Sequence, residues 1–332
     1  MAKYIIKRIL YMIPVLFGVA FLVFTILSLT PGDPGTIILG ITAKPEDVAA
    51  LNAQFGYDKP FLIRFFSYIG NIIFHFDLGT SYASRQPVLD DILARFPNTF
   101  ILALLSMCVS SIIGISLGIL SAVRQYSITD HVCVVVALVF ASMPGFWLGL
   151  MLLIVFSLKL GWLPSFGAAS LKHFILPTLT VSLTSAAGLL RLTRSAMLET
   201  IRQDYIRTAR AKGASEKTVI WKHALTNTLI PVSTVIGIRF GSSLAGSVVT
   251  EQVFGIPGLG KLMIDSINNR NYPVVLGGVL LIAFAYGIVN LIVDIFYAFI
   301  DPRVKSQYVV AKRTKKKAEE PEENAQEGGK QA

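Results

Sequence analysis

Long runs of apolar residues, broken by short polar segments, dominate the chain. Uncharged stretches lie at 9–29, 99–123, 132–158 and 274–293. About 20 such residues cross a hydrocarbon core of about 30 Å as an α-helix. The first run is longer than the apolar part of a secretory signal, so it is expected to be a retained helix. Two further stretches are less uniform. Residues 174–190 are few and carry Pro177, Thr178, Thr180, Ser182, Thr184 and Ser185, while 229–250 holds Arg239. Polar residues in spans face a protein interior or a wet cavity. Counting both gives six spans. Backbone groups in lipid must be satisfied internally, so the expected fold is all-α, an integral membrane bundle of six transmembrane helices.

The same pattern divides the chain. Residues 1–30 form an N-terminus and first span, 31–97 an outer region, 98–300 the main bundle and 301–332 a tail. Within the bundle the expected spans are about 99–123, 132–158, 174–190, 229–250 and 274–300. The outer region opens with a Pro31-Gly-Asp-Pro34 turn. A helix is predicted from Pro45, with Glu46 and Asp47 at its positive end and Gly56 closing it. Residues 60–76 are rich in aromatics and are expected on the membrane face or against the bundle. The tail mixes five basic residues at 312–317 with four glutamates at 319–323. It is expected to be disordered, with its basic part near anionic lipid.

Composition sharpens this picture. The 332 residues are 53% hydrophobic and only 15% charged, where a soluble domain carries roughly 25% charged residues. Mean hydropathy is +0.63. A soluble enzyme is excluded. Lys and Arg number 20 on the terminal side of the six spans and 9 on the other, with Arg239 inside the membrane. That asymmetry predicts a multi-pass plasma-membrane protein with both termini in the cytoplasm. It also explains the net charge of +10 without a nucleic-acid partner. The two cysteines, Cys108 and Cys133, lie inside apolar runs and read as packing residues.

Candidate chemistry is sparse. Gly255-Ile-Pro-Gly-Leu-Gly-Lys261 resembles a phosphate-cradling loop, but Leu262 stands where a Mg²⁺-binding hydroxyl is required. The glycines and Pro257 are expected to shape a tight re-entrant turn instead. The four histidines are scattered, and His75-x-Asp77 alone makes a poor metal site. No hydrolase motif is visible, so no catalytic residue, metal or cofactor is assigned. Arg239 and Asp294 are the conspicuous charges in or near the membrane. They keep a proton-coupled secondary transporter open as an alternative. Arg239 is read two ways: as a group facing solute, or as the partner of Asp294. Gly114/Gly118, Gly145/Gly149 and Gly237/Gly241 have the small-residue spacing that lets helices approach. Ser233, Gly237 and Gly241 share one face of the fifth span. With Arg239 and Ser182 they are candidates to line a polar passage.

The most informative stretch runs from 191 to 231. It predicts a short helix, a break at Gly213, a cap at Ser215 and a second short helix, with Pro231 opening the fifth span. A helix–glycine–helix knob is a docking shape. Ala209 and Ala211 would let a partner approach, and Arg207, Arg210 and Lys212 supply charge. A solvated basic loop or a plain membrane scaffold explains less of this.

At these residues the chain resembles the dipeptide, oligopeptide and nickel permeases of binding-protein-dependent ABC importers. The matching residues are Asp204-Tyr205-Ile-Arg-Thr-Ala-Arg-Ala-Lys-Gly213, then His223-Ala-Leu-Thr-Asn227 and Pro231. Thr226 stands where many relatives have Pro. Other matches are Pro31-Gly-Asp-Pro34, Asp77-Leu-Gly-Thr-Ser81, Glu251-x-Val-Phe-x-x-Pro-Gly-Leu-Gly260, Asn290-Leu-Ile-Val-Asp294 and Asp301-Pro-Arg303. The resemblance implies a type I importer permease fold and a subunit that is not itself the enzyme. It also implies a second homologous permease subunit, two cytoplasmic ATPases and an extracytoplasmic solute-binding protein, in a bacterial or archaeal membrane. Asp204, Tyr205, Arg207, Thr208, Ala209, Ala211 and Gly213 would then couple the permease to the ATPases. Peptides are the expected cargo, with nickel or another small solute as the alternative.

Overall fold

A computed structural model describes residues 2–300; the tail expectation, with Asp301-Pro-Arg303, lies outside the described residues. The first helix, α1, spans Ala2–Leu29. The stretch 31–97 then forms α2 (Pro34–Leu39), α3 (Pro45–Gln54) and α4 (Phe61–His75). α3 begins with proline in its first turn, followed by Glu46 and Asp47. Gly56, just past its end, has φ +68°, a conformation open to glycine at little cost. α4 lies against α1 through a knot of rings. Phe65 is 1% exposed and meets Phe17, Phe21 and Phe24 edge-on at 5.2–5.5 Å.

α5 (Val88–Val123) starts well before residue 99, so its first turns fall within the stretch 31–97. It is followed by α6 (Ile128–Ser142) and α7 (Gly145–Leu152), which runs on as a π-helical turn at Leu153–Lys159. The stretch 132–158 is therefore not one straight span. α6 and α7 are bent by 100° at Met143-Pro144, where proline disfavours a helical conformation in the residue before it. α8 spans Ile175–Ile201 and extends past residue 190. Then come α9 (Asp204–Ala211), α10 (Glu216–Thr218) with a π-helical turn at Val219–Ala224, and α11 (Leu225–Gly246). α12 (Val248–Val253), α13 (Leu259–Asn268) and α14 (Tyr272–Ile300) complete the bundle. Among the described residues five helices are long and apolar enough to span a membrane, and the bent pair makes a sixth.

Glycines set the closest helix contacts. A β-carbon on Gly114 would lie 2.6 Å from Cβ of Leu189, and one on Gly118 equally close to Cβ of Thr193. α5 and α8 therefore touch backbone to backbone. Two buried carboxylates fasten other elements to α5, one toward each of its ends. Asp130 on α6 is 3% exposed. It accepts from the Ser121 hydroxyl on α5, from the Tyr126 N–H at 3.0 Å, and from Arg194 on α8. At the other end Glu251 is fully buried. It accepts from the hydroxyls of Thr99 at 2.7 Å and Ser247 at 2.9 Å and from the Lys261 N–H at 3.0 Å. Thr99 in turn accepts the Leu259 N–H at 2.8 Å. Buried charge is tolerated only with such partners. The loop at 255–260 is a tight turn wrapped around the Glu251 carboxyl. A β-carbon on Gly258 would overlap that group.

Candidate functional site

The knob predicted around Gly213 is present. α9 starts at Asp204, whose charge favours the helix N-terminus. Gly213 has φ +81° with open space where a β-carbon would stand, so the break needs a left-handed residue but is not crowded. Its N–H donates to the Arg210 carbonyl at 2.9 Å. Ser215 caps the next helix by accepting the Thr218 N–H at 3.4 Å. Arg210 reaches across the break and donates twice to Glu216, at 2.7 and 3.2 Å. Tyr205 accepts from Nδ2 of Asn227 at 2.8 Å, which ties α9 to the base of α11.

The knob sits on its own apolar seat. Ile206, Val219, Ala224, Met197, Ile119 and Ala122 form one buried cluster, and Ala209 packs half-buried against it. Of the two alanines expected to let a partner approach, only Ala211 is exposed on the outer face. Ala209 turns toward the bundle, while Gly213 is exposed. Tyr205, Arg207, Thr208, Ala211 and Lys212 point outward, and Asp204 is held near Arg207 at 3.5 Å. Trp221, 57% exposed beside them, was not singled out by sequence. A bare indole among the charged residues of the knob could have flagged it.

Inside the membrane the candidates separate. Ser182 is fully buried and donates to the Leu179 carbonyl at 3.4 Å. Ser233 is half-buried and donates to the Ile230 carbonyl at 2.9 Å. Gly237 and Gly241 do not face a passage. They press against Val293 and Tyr286 of α14, where added side chains would overlap. Four-residue spacing gave their shared face correctly but not what lies opposite. Arg239 points the other way. Its guanidinium covers Gly188 on α8 so closely that a β-carbon there would overlap it. It borders a cavity of about 10 Å³, lined also by Ser106, Ser110, Ser111, Ser185 and Ser243. The hydroxyls of Ser106, Ser111 and Ser243 are buried without a partner among the described residues. Arg239 itself is exposed on the surface of the single chain.

The proposed pairing of Arg239 with Asp294 is not formed. Asp294 meets Arg8 of α1 at 2.8 Å instead, because α1 packs against α14. Sequence reasoning also missed the Asp130–Arg194 pair, whose members stand 64 positions apart.

Comparison with known proteins follows this geometry. Residues 114–306 match the family model described as binding-protein-dependent transport system inner membrane component, and 1–103 match the model for its N-terminal part. The glutathione transport system permease protein GsiC of Escherichia coli strain K12 is 43% identical over 305 residues, covering 92% of this chain and 99% of that protein. The GsiC of Salmonella typhi gives the same figures. In fold, the chain is similar to one chain of the inward-facing MetNI methionine ABC transporter. That match has a TM-score of 0.55 at 18% identity and covers 63% of this chain and 95% of the other.

Proposed function

This chain belongs to the binding-protein-dependent transport system inner membrane components; it is a multi-pass permease subunit of an ABC importer, and we propose that its cargo is a peptide. The observation that carries the cargo reading is the 43% identity, over nearly the whole length of both chains, to a permease named for glutathione, itself a small peptide. Arg239 adds a chemical reason. It is an intramembrane cation with no carboxylate partner among the described residues, set among serine hydroxyls. Every peptide ends in a carboxylate that such a group can bind. Arg239 is the residue proposed to face solute; Ser182 and Ser233, whose hydroxyls bond within their own helices, are not needed for it. Family membership leaves no need for a proton-coupled carrier.

In this reading the chain pairs with a second, homologous permease subunit, two cytoplasmic ATPases and an extracytoplasmic solute-binding protein. Both termini and the knob face the cytoplasm, and residues 31–97 face outward. ATP is hydrolysed on the separate ATPases. The outer face of the knob, from Asp204 to Gly213, docks on an ATPase and passes its motion to the bundle.

The reconstituted complex tests cargo and coupling together. Labelled glutathione, dipeptides and nickel are offered to proteoliposomes containing ATP. Peptide uptake is expected; nickel uptake without peptide uptake would overturn the cargo reading. Arg207→Glu with Ala211→Glu should leave the chain inserted but uncouple ATP hydrolysis from uptake. Normal coupling would remove the docking role. Cysteines placed at Lys44 and Asp58 should react with an impermeant thiol reagent on intact cells. Labelling only after lysis would reverse the orientation.

A further inference from the structure

At the end of α1 a cleft of about 350 Å³ opens between α1, α4 and the start of α14. Sites for small ligands run to about 300–1,000 Å³ and combine apolar walls with a few placed polar groups. Arg64, Ser67, Tyr68 and Asn71 follow one another at helical spacing and line one side. The opposite face of α4 is apolar and bare, with Leu62, Ile63, Phe66, Ile73 and Phe74 all more than half exposed. α1 brings Phe24, Leu27 and Ser28 to the same cleft. Just below them Leu22 and Ile26 are exposed on its surface. The cleft therefore lies where a membrane-facing helix ends and a membrane-lying helix begins.

Its charge has one sign. Arg64 and Lys59 line it, and no aspartate or glutamate does. The Arg64 guanidinium lies over the Tyr57 ring at 3.7 Å and is 5.7 Å from the centre of Phe24. The rings fix the plane of its fork and leave its N–H groups without a carboxylate among the described residues. The Tyr68 hydroxyl is buried with no hydrogen-bond partner, a state that normally calls for an explanation. Tyr82 also borders the cleft. Burial pushes the Tyr68 and Tyr82 hydroxyls well above the usual tyrosine range, so both stay protonated and able to donate. Asp77 lies outside the lining and accepts the Gly79 N–H at 2.8 Å; its charge reaches Tyr68 and adds to the rise caused by burial.

We infer that this cleft holds the phosphate-bearing headgroup of an anionic phospholipid. The Arg64 fork and the Tyr68 hydroxyl donate to its oxygens, and its acyl chains run down the bare face of α1 at Leu22 and Ile26. This site is independent of the cargo and of the knob.

Native mass spectrometry of the full-length chain in its purified complex tests it. The probes are phosphatidylglycerol, phosphatidylcholine and inorganic phosphate. Wild type should retain phosphatidylglycerol about tenfold better than phosphatidylcholine, the weight of one charge-assisted contact. Arg64→Gln should abolish that preference, and Arg64→Lys should restore only part of it. Tyr68→Phe, which removes one oxygen and spares the packing, should weaken retention with the complex intact. Unchanged preference in Arg64→Gln and Tyr68→Phe would overturn the proposal. Equal retention of both lipids by wild type would do the same. Displacement of the lipid by millimolar inorganic phosphate would make this a free-anion site and sink the lipid reading.

Discussion

Arg194 meets Asp130 fork to fork: Nε donates to one carboxylate oxygen and Nη2 to the other, both at 2.8 Å. The pair joins the start of α6 to α8, with the α5 end bonded to the same carboxylate. Arg194→Ala leaves a buried carboxylate without its cation, a change that costs about 3–5 kcal/mol. Arg194→Lys keeps the charge but loses the two-point grip, so it should rescue only part. Thermal unfolding in detergent reads both. A wild-type midpoint for Arg194→Ala would mean the pair does not hold the bundle.

The Glu251 turn makes a second test. Glu251→Ala strips the acceptor from Ser247, Thr99 and the Lys261 N–H, at about 1–3 kcal/mol for a buried donor left unpaired. Gly258→Ala puts a methyl group onto the same carboxyl and should also destabilise. Because the two changes share one volume, the double variant should be more stable than the sum of the singles implies. Strict additivity would argue against a turn built around this carboxyl.

α11 and α14 meet through Gly237 and Val293. Gly237→Ala overfills that contact, which typically costs about 1–3 kcal/mol. Val293→Ala should relieve it. If Gly237→Ala melts at the wild-type temperature, the close approach is not what holds these two helices.

Asp33 carries a pH dependence with a definite sign. It accepts from the Thr36 N–H at 2.9 Å, the Thr36 hydroxyl at 2.8 Å and Asn52 at 2.6 Å. Led by the Thr36 N–H, these bonds hold its carboxyl below the usual range, against the opposing effect of burial. A lowered value in the folded chain means stability that is full above the unfolded pKa of about 4 and is lost as pH falls through the folded value. Amide exchange at Gly35 and Thr36, compared at pH 6 and pH 3, should show protection declining only in acid. Asp33→Asn should flatten that dependence. Equal profiles for both proteins would show that the carboxylate does not govern the turn.

Much of the architecture is written in local pattern. The apolar runs place the long helices, and Ser215 and Gly213 mark the knob, because caps and left-handed residues act over a few positions. Contacts between distant segments are different. Arg8 lies 286 positions from its partner Asp294 in the numbering, and no period in the chain links them. The break at Met143-Pro144 was hidden because both halves are equally apolar, so only the proline announced it. Arg239 was conspicuous from the start, yet its neighbour Gly188 depends on how α8 and α11 are rotated.

From Glu216 to Ala245 the backbone is a single helical run. Arg239 thus rides on the same rod as the exposed Trp221. At 1.5 Å per residue, Glu216 and Arg239 stand about 35 Å apart along it. The rod has two compliant joints, the wide turn at Val219–Ala224 and Pro231, where one backbone bond is missing. Both joints lie on the knob side of Arg239. The segment that carries the arginine can therefore tilt against the segment that carries the indole.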